Sequence, residues 1–156
     1  MTLDVSDCLT PYEAHGIRFL YPDIWEITEE TDADGDIVIT VTSDGTCFWT
    51  LRILPGCPSP PDVVRSCIEA FREEYDELDE SPSQIRISEM PAYARDLEFS
   101  CLELLNTASL SSVRSSDMTL LIWWQGTDHE LQEIRPILEQ ITESVQILSL
   151  LEDGTE

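Results

Sequence analysis

The chain has 156 residues, 42% of them apolar, enough for one domain to bury a core without disulfides or metal. Against 8 basic residues stand 32 acidic ones, a net charge of −24. Such a surface repels phosphate backbones and anionic leaflets, which excludes sequence-independent nucleic-acid binding and membrane docking as expectations and favours a basic protein partner.

Residues 1–15 read as an N-terminal extension, 16–148 as one domain and 149–156 as an acidic tail. The extension has no basic n-region and no apolar h-region, so it does not read as a signal peptide, and the cytoplasm is the expected address. The first element is Gly16 to Tyr21, a short strand that Pro22 ends. Trp25 to Glu29 makes a second run with Trp25 and Ile27 on one face. Asp32-Ala33-Asp34-Gly35-Asp36 is turn chemistry. Beyond it Ile37, Ile39 and Val41 alternate with Val38, Thr40 and Thr42. Ser43-Asp44-Gly45-Thr46 closes a hairpin, since Asp-Gly between alternating runs suits a turn with positive φ. The return strand places Cys47, Trp49, Leu51 and Ile53 on one face.

Pro55 to Pro61 ends this sheet segment and leads into a helix, because proline is well tolerated in a first turn. Val64, Cys67, Ile68, Phe71, Tyr75 and Leu78 recur at helical spacing, so the helix is expected to run to about Glu80. Its outer surface carries Glu69, Glu73, Glu74, Asp76, Glu77 and Glu80 against only Arg65 and Arg72. A second group of strands follows. Ile85 and Ile87 suggest a short one, and Tyr93 to Leu105 alternates Leu97, Phe99 and Cys101 with Asp96, Glu98 and Ser100. Asn106-Thr107 reads as a turn, and Ala108 to Ser115 is weakly patterned. Met118 to Gln125 is apolar on both faces, Leu120, Ile122 and Trp124 on one and Leu121 and Trp123 on the other, which implies layers above and below the sheet. The last helix spans about Asp128 to Val145, capped by Asp128 and kinked or restarted at Pro136. Ile147 to Leu151 suggests a short pairing segment. The fold class expected is α/β of the α+β type: an α/β/α sandwich with a mostly antiparallel sheet and two main helices.

The strand Phe19-Leu20-Tyr21-Pro22-Asp23-Ile24-Trp25, with the hairpin, helix, second antiparallel group and final helix behind it, resembles the PsbP-like superfamily. The resemblance covers Gly16 to Ile147. It implies that fold, and its best-known members bind protein partners and are not known as enzymes. No binding residue of that family transfers to a position here.

Catalytic chemistry finds little support in the residues. All eight basic residues are arginines, so a Schiff-base or phosphate-loop lysine is excluded within this chain. Cys8, Cys47, Cys57, Cys67 and Cys101 show no CxxC pair or zinc cadence and read as reduced thiols; Cys57, in a proline-rich loop, is the one open to redox chemistry. Asp32, Asp34 and Asp36 resemble a calcium loop only superficially, because Gly35 stands before the third acid and a strand follows. His129 and Glu133, a turn apart, are two ligands at most, and no Gly-x-Ser-x-Gly elbow exists. No cofactor, metal site or catalytic residue is expected.

Core packing is the expectation for at least three of Trp25, Trp49, Trp123 and Trp124, with one of the last two partly exposed. The resulting reading is a non-enzymatic interaction module, monomer or weak dimer. It docks basic partners through Glu69, Glu73, Glu74, Asp76 and Glu77, with Trp123 as an aromatic anchor. The alternative is a small-ligand carrier or sensor with a tryptophan-lined pocket.

Overall fold

The structure is a computed structural model describing residues 8–149. Strands β1 (Leu9–Ala14) and β2 (Ile17–Pro22) form a hairpin around His15 and Gly16, both at positive φ. The stretch read as an extension therefore carries a strand, in register from Leu9↔Pro22 to Ala14↔Ile17. Pro11 and Glu13 hide it from a search for apolar alternation; Tyr12, stacked 5.0 Å from Phe19, is what ties it down. The acidic tail lies outside the described residues except for Ser149.

Strands β3 (Glu26–Thr31), β4 (Ile37–Thr42) and β5 (Phe48–Leu54) follow as a meander. The aspartate segment is its first turn: Asp32 Oδ1 accepts the N–H groups of Asp34 and Asp36 at 2.9 and 3.0 Å. Arg52 donates to Asp32 and Asp36 at 3.1 and 3.2 Å, so those carboxylates neutralise an arginine.

Helix α1 (Pro60–Glu74) buries Val64, Ile68 and Phe71, and prolines fill its first turn. It ends earlier than its apolar spacing predicts. Tyr75 is already extended, and Leu78–Ser83 is strand β6, paired with β9. Glu73, Glu74, Asp76 and Glu77 would crowd the negative end of the helix dipole, while Leu78 gains a partner by lying opposite Phe99. Strands β7 (Arg86–Ile87) and β8 (Met90–Pro91) form a small ribbon.

Strands β9 (Tyr93–Cys101) and β10 (Leu104–Arg114) turn at Leu102-Glu103, not at Asn106-Thr107, with φ of 53° and 67°. No glycine or asparagine marks that turn, which is why the sequence points elsewhere. The weakly patterned stretch is the interior of β10: Ala108, Ser109, Ser111 and Ser112 are buried, and small side chains let layers approach on both faces. Strand β11 (Thr119–Thr127) is apolar on both faces, as expected.

Helix α2 (Asp128–Ser144) is capped by Thr127, whose hydroxyl accepts from the Glu130 N–H, and not by Asp128. It runs on through Pro136, which sits on the exposed side while Leu131, Leu138 and Ile141 hold both halves to the core. Strand β12 (Gln146–Ile147) then pairs with β2.

The main sheet has seven strands in the order β3-β4-β5-β11-β10-β9-β6, every neighbouring pair antiparallel. One face packs against α2 and the β1-β2-β12 sheet through Trp49, Leu51, Ile122 and Trp124. The other packs against α1 through Leu97, Phe99, Leu110 and Leu121. The chain is thus an α+β sandwich with two helices and a largely antiparallel sheet. Among the described residues no helix is long and apolar enough to cross a membrane.

Candidate functional site

Helix α1 covers only half of its sheet face. Its buried residues meet β9, β10 and β11, while the same face of β4 and β5 carries no helix. Val38, Thr40, Thr42, Phe48, Thr50 and Leu54 lie there, and pairing of β4 with β5 places them in adjacent rows. The result is a groove of about 900 Å³ between those rows and the flank of α1, where Val63, Ser66, Cys67 and Ala70 face inward at helical spacing. Its only charged lining residues are Arg52, matched by Asp32 and Asp36, and Asp62. Burial pushes the Cys67 thiol up, more than nearby Arg52 pulls it down, so this cysteine is an apolar wall rather than a nucleophile.

Trp123 forms the floor. It is half-buried, with Phe48 and Phe71 packed edge-on at 5.3 and 5.5 Å, and its indole N–H has no hydrogen-bond partner among the described residues. An adjoining pocket of about 350 Å³ continues past Trp123 to Gln125, Tyr75 and Glu74. Of the other tryptophans, Trp25, Trp49 and Trp124 are buried core residues on the opposite face. The alternative reading of a pocket lined by several tryptophans is corrected to a groove with one.

The structure gathers some of the acidic residues singled out from sequence and separates others. Glu69 and Glu73, with Asp62, form a stripe at i, i+7 and i+11 along the outer lip of the groove, and Glu74 closes one end; all are exposed. Asp76 and Glu77 are not on the helix. They precede β6 and, because Leu78 pairs with Phe99, lie at the end of that strand nearest the turn of the β9–β10 hairpin. The tip of that hairpin exposes Leu102 (90%), Leu104 and Leu105. Two non-glycine residues at positive φ hold it, a strained way to present an apolar side chain. The groove itself was missed from sequence, although a signal existed: apart from Arg52, the outward positions of β4 and β5 carry no charge, which a solvated face of so acidic a chain would.

A second cleft, about 620 Å³, lies between α2 and residues 83–89. Asp96 sits in it, its pKa raised by burial and partly restored by Arg135 at 3.8 Å and the Ser109 hydroxyl. Arg135 in turn lies over the Trp124 ring at 5.2 Å and pairs with Glu139 at 3.2 Å. Asp96, Arg135 and Glu139 are matched with one another, a structural ion network, while Arg86, Glu89 and Glu143, also in the lining, form no ion pair among the described residues. The Glu130 carboxylate is held below its usual range, chiefly by the Thr46 hydroxyl, and pins the β4–β5 turn to the start of α2.

No family model and no curated protein sequence matches the chain. Solved structures do. Cyanobacterial PsbP from Synechocystis superposes with a TM-score of 0.57 at 13% identity, over 90% of this chain and 92% of that one. The chain has a PsbP-like fold. LpqN, involved in cell envelope biogenesis of Mycobacterium tuberculosis, also superposes on this chain (TM-score 0.55, 17% identity, 91% of this chain and 93% of that one covered). So does a protein of unknown function from Pseudomonas aeruginosa described as a putative regulator (0.53, 14%, 87% and 94%). At such identities the likeness carries the fold and not a task.

Proposed function

We propose that this chain is a non-enzymatic interaction module of the cytoplasm that holds an apolar segment of a partner protein in the groove beside α1. The observation that carries the reading is the uncovered half of the sheet face: about 900 Å³ of mostly apolar space floored by Trp123. A concave, mostly apolar groove with a few polar groups at its rim is the common form of a binding site. The lip of Asp62, Glu69, Glu73 and Glu74 selects for basic residues flanking that segment. The apolar groove supplies affinity and the acidic lip supplies steering and specificity.

A carrier of a small apolar molecule is the second reading, because the groove volume also suits such ligands. The two differ in their response to salt. Capture from a lysate at low and then high salt, with the native chain and two variants, tests the first. A retained protein should elute as salt rises, and Glu73→Lys/Glu74→Lys should weaken its retention about ten-fold or more, since each unit of charge complementarity at a lip contributes on the order of 1 kcal/mol. Trp123→Ala, checked to be folded by circular dichroism, should lose it as well. Retention indifferent to salt and to both variants would overturn the reading.

A further inference from the structure

The two edges of the main sheet are finished differently. On β6 the edge is blunted: Pro82 has no N–H to offer, and Glu80 is tied to Arg72 at 3.1 Å and Arg95 at 3.2 Å. On β3 it is not. All six residues pair with β4, from Glu26↔Thr42 to Thr31↔Ile37, with no proline and no bulge. Among the described residues no strand pairs with the other side of β3, and five of its six residues are exposed. The backbone N–H and C=O groups on that side are therefore a regular, unfilled row.

The charges along this edge decide what can fill it. Glu29 points to the β1–β2 side, where Tyr12 and His15 donate to it. Glu26 and Glu30 lie on the other face, and among the described residues neither forms an ion pair. A second copy of this chain pairing edge to edge would set glutamates near glutamates, which is destabilising across strands. A strand with lysine or arginine at alternate positions would set opposite charges there. Edge acids of this kind refuse self-association while leaving the backbone row open to a cationic strand.

We propose that the β3 edge is a strand-addition site for an extended, basic segment of a partner protein. Backbone hydrogen bonds to Glu26–Thr31 give the attachment, and Glu26 and Glu30 select alternating cationic side chains. This edge borders the groove, since Glu26 and Glu30 stand opposite Thr42 and Val38 of its lining, but no residue of β3 lines the groove and strand addition does not depend on its being filled.

The probe is a synthetic peptide of alternating lysine and valine, with the same peptide N-methylated at every backbone amide as a control that keeps the charge but whose backbone cannot donate hydrogen bonds or pair as a strand. Amide hydrogen exchange of the full chain is read by NMR at low salt. The alternating peptide is expected to slow the outward-facing amides of β3 by about ten-fold or more at saturation, and the N-methylated peptide to leave them unchanged. Glu26→Lys/Glu30→Lys, with a native-like spectrum, should abolish the protection, whereas Trp123→Ala should not. Binding without β3 protection, equal protection by the N-methylated peptide, or persistence in the double lysine variant overturns the proposal. Protection that rises with protein concentration in the absence of peptide also overturns it, assigning the edge to a second copy.

Discussion

Trp49→Ala is expected to cost about 3–5 kcal/mol, a large fraction of the about 5–15 kcal/mol total stability of a domain. Trp49 is fully buried at the centre of the larger core, its ring centroid 4.8 Å from that of Phe19. Its indole N–H donates to the Thr142 hydroxyl at 2.9 Å, and that hydroxyl donates to the Leu138 carbonyl at 2.9 Å. Truncation thus leaves a cavity where β5, β2 and α2 meet and removes a partner from Thr142. Trp49→Phe keeps most of the volume but, like Trp49→Ala, lacks the indole N–H. Its cost should be distinctly smaller and reports mainly the lost hydrogen bond, while the difference between the two variants reports the cavity. Urea unfolding followed by far-ultraviolet circular dichroism measures both; equal midpoints for native and Trp49→Ala chains would contradict this packing.

Gly126→Ala is the second large effect. This glycine needs no unusual φ; it is required by space. A Cβ there would run into Cys47 Sγ and lie 3.2 Å from Leu131 Cδ2. Both neighbours are buried, so the added methyl must push β5 or the first turn of α2, at about 1–3 kcal/mol as for other overpacked cores. The clash is mostly with sulfur, and Cys47→Ala in the same chain should recover part of the loss even though it is itself destabilising. Such non-additivity is the signature of direct contact. A double variant whose loss equals the sum of the single losses would place the strain elsewhere.

The sequence discloses most where side chains speak for the backbone. The β4–β5 hairpin, the double-faced apolar run of β11 and the opposed Trp123 and Trp124 all follow from turn chemistry and period-two patterning, and the structure has them. The hairpin connection differs in kind, since residues 43–47 form a five-residue loop in which neither Asp44 nor Gly45 takes the expected positive φ. It misleads where tertiary pairing overrides local pattern. Leu78 continues the apolar stripe of α1 at helical spacing but is taken by β9, and Leu102-Glu103 adopts a turn that its residue types disfavour. The candidate site was half legible. Glu74 and Trp123 line one pocket and Glu69 and Glu73 lie exposed along the same helix, whereas Asp76 and Glu77 fall beside a different feature once the helix stops at Glu74. The groove depends on which half of a sheet face a helix leaves bare, and no single segment encodes that.

The most direct test of the groove is fluorine NMR of the chain labelled with 5-fluorotryptophan, whose four tryptophans report both faces of the sheet. On titration with a peptide rich in leucine and lysine, the Trp123 resonance should shift saturably and return as salt is raised, while those of Trp25, Trp49 and Trp124 stay in place. Saturable binding that leaves Trp123 unmoved, or that moves Trp124 beside the Asp96 cleft instead, would contradict a binding role for the groove.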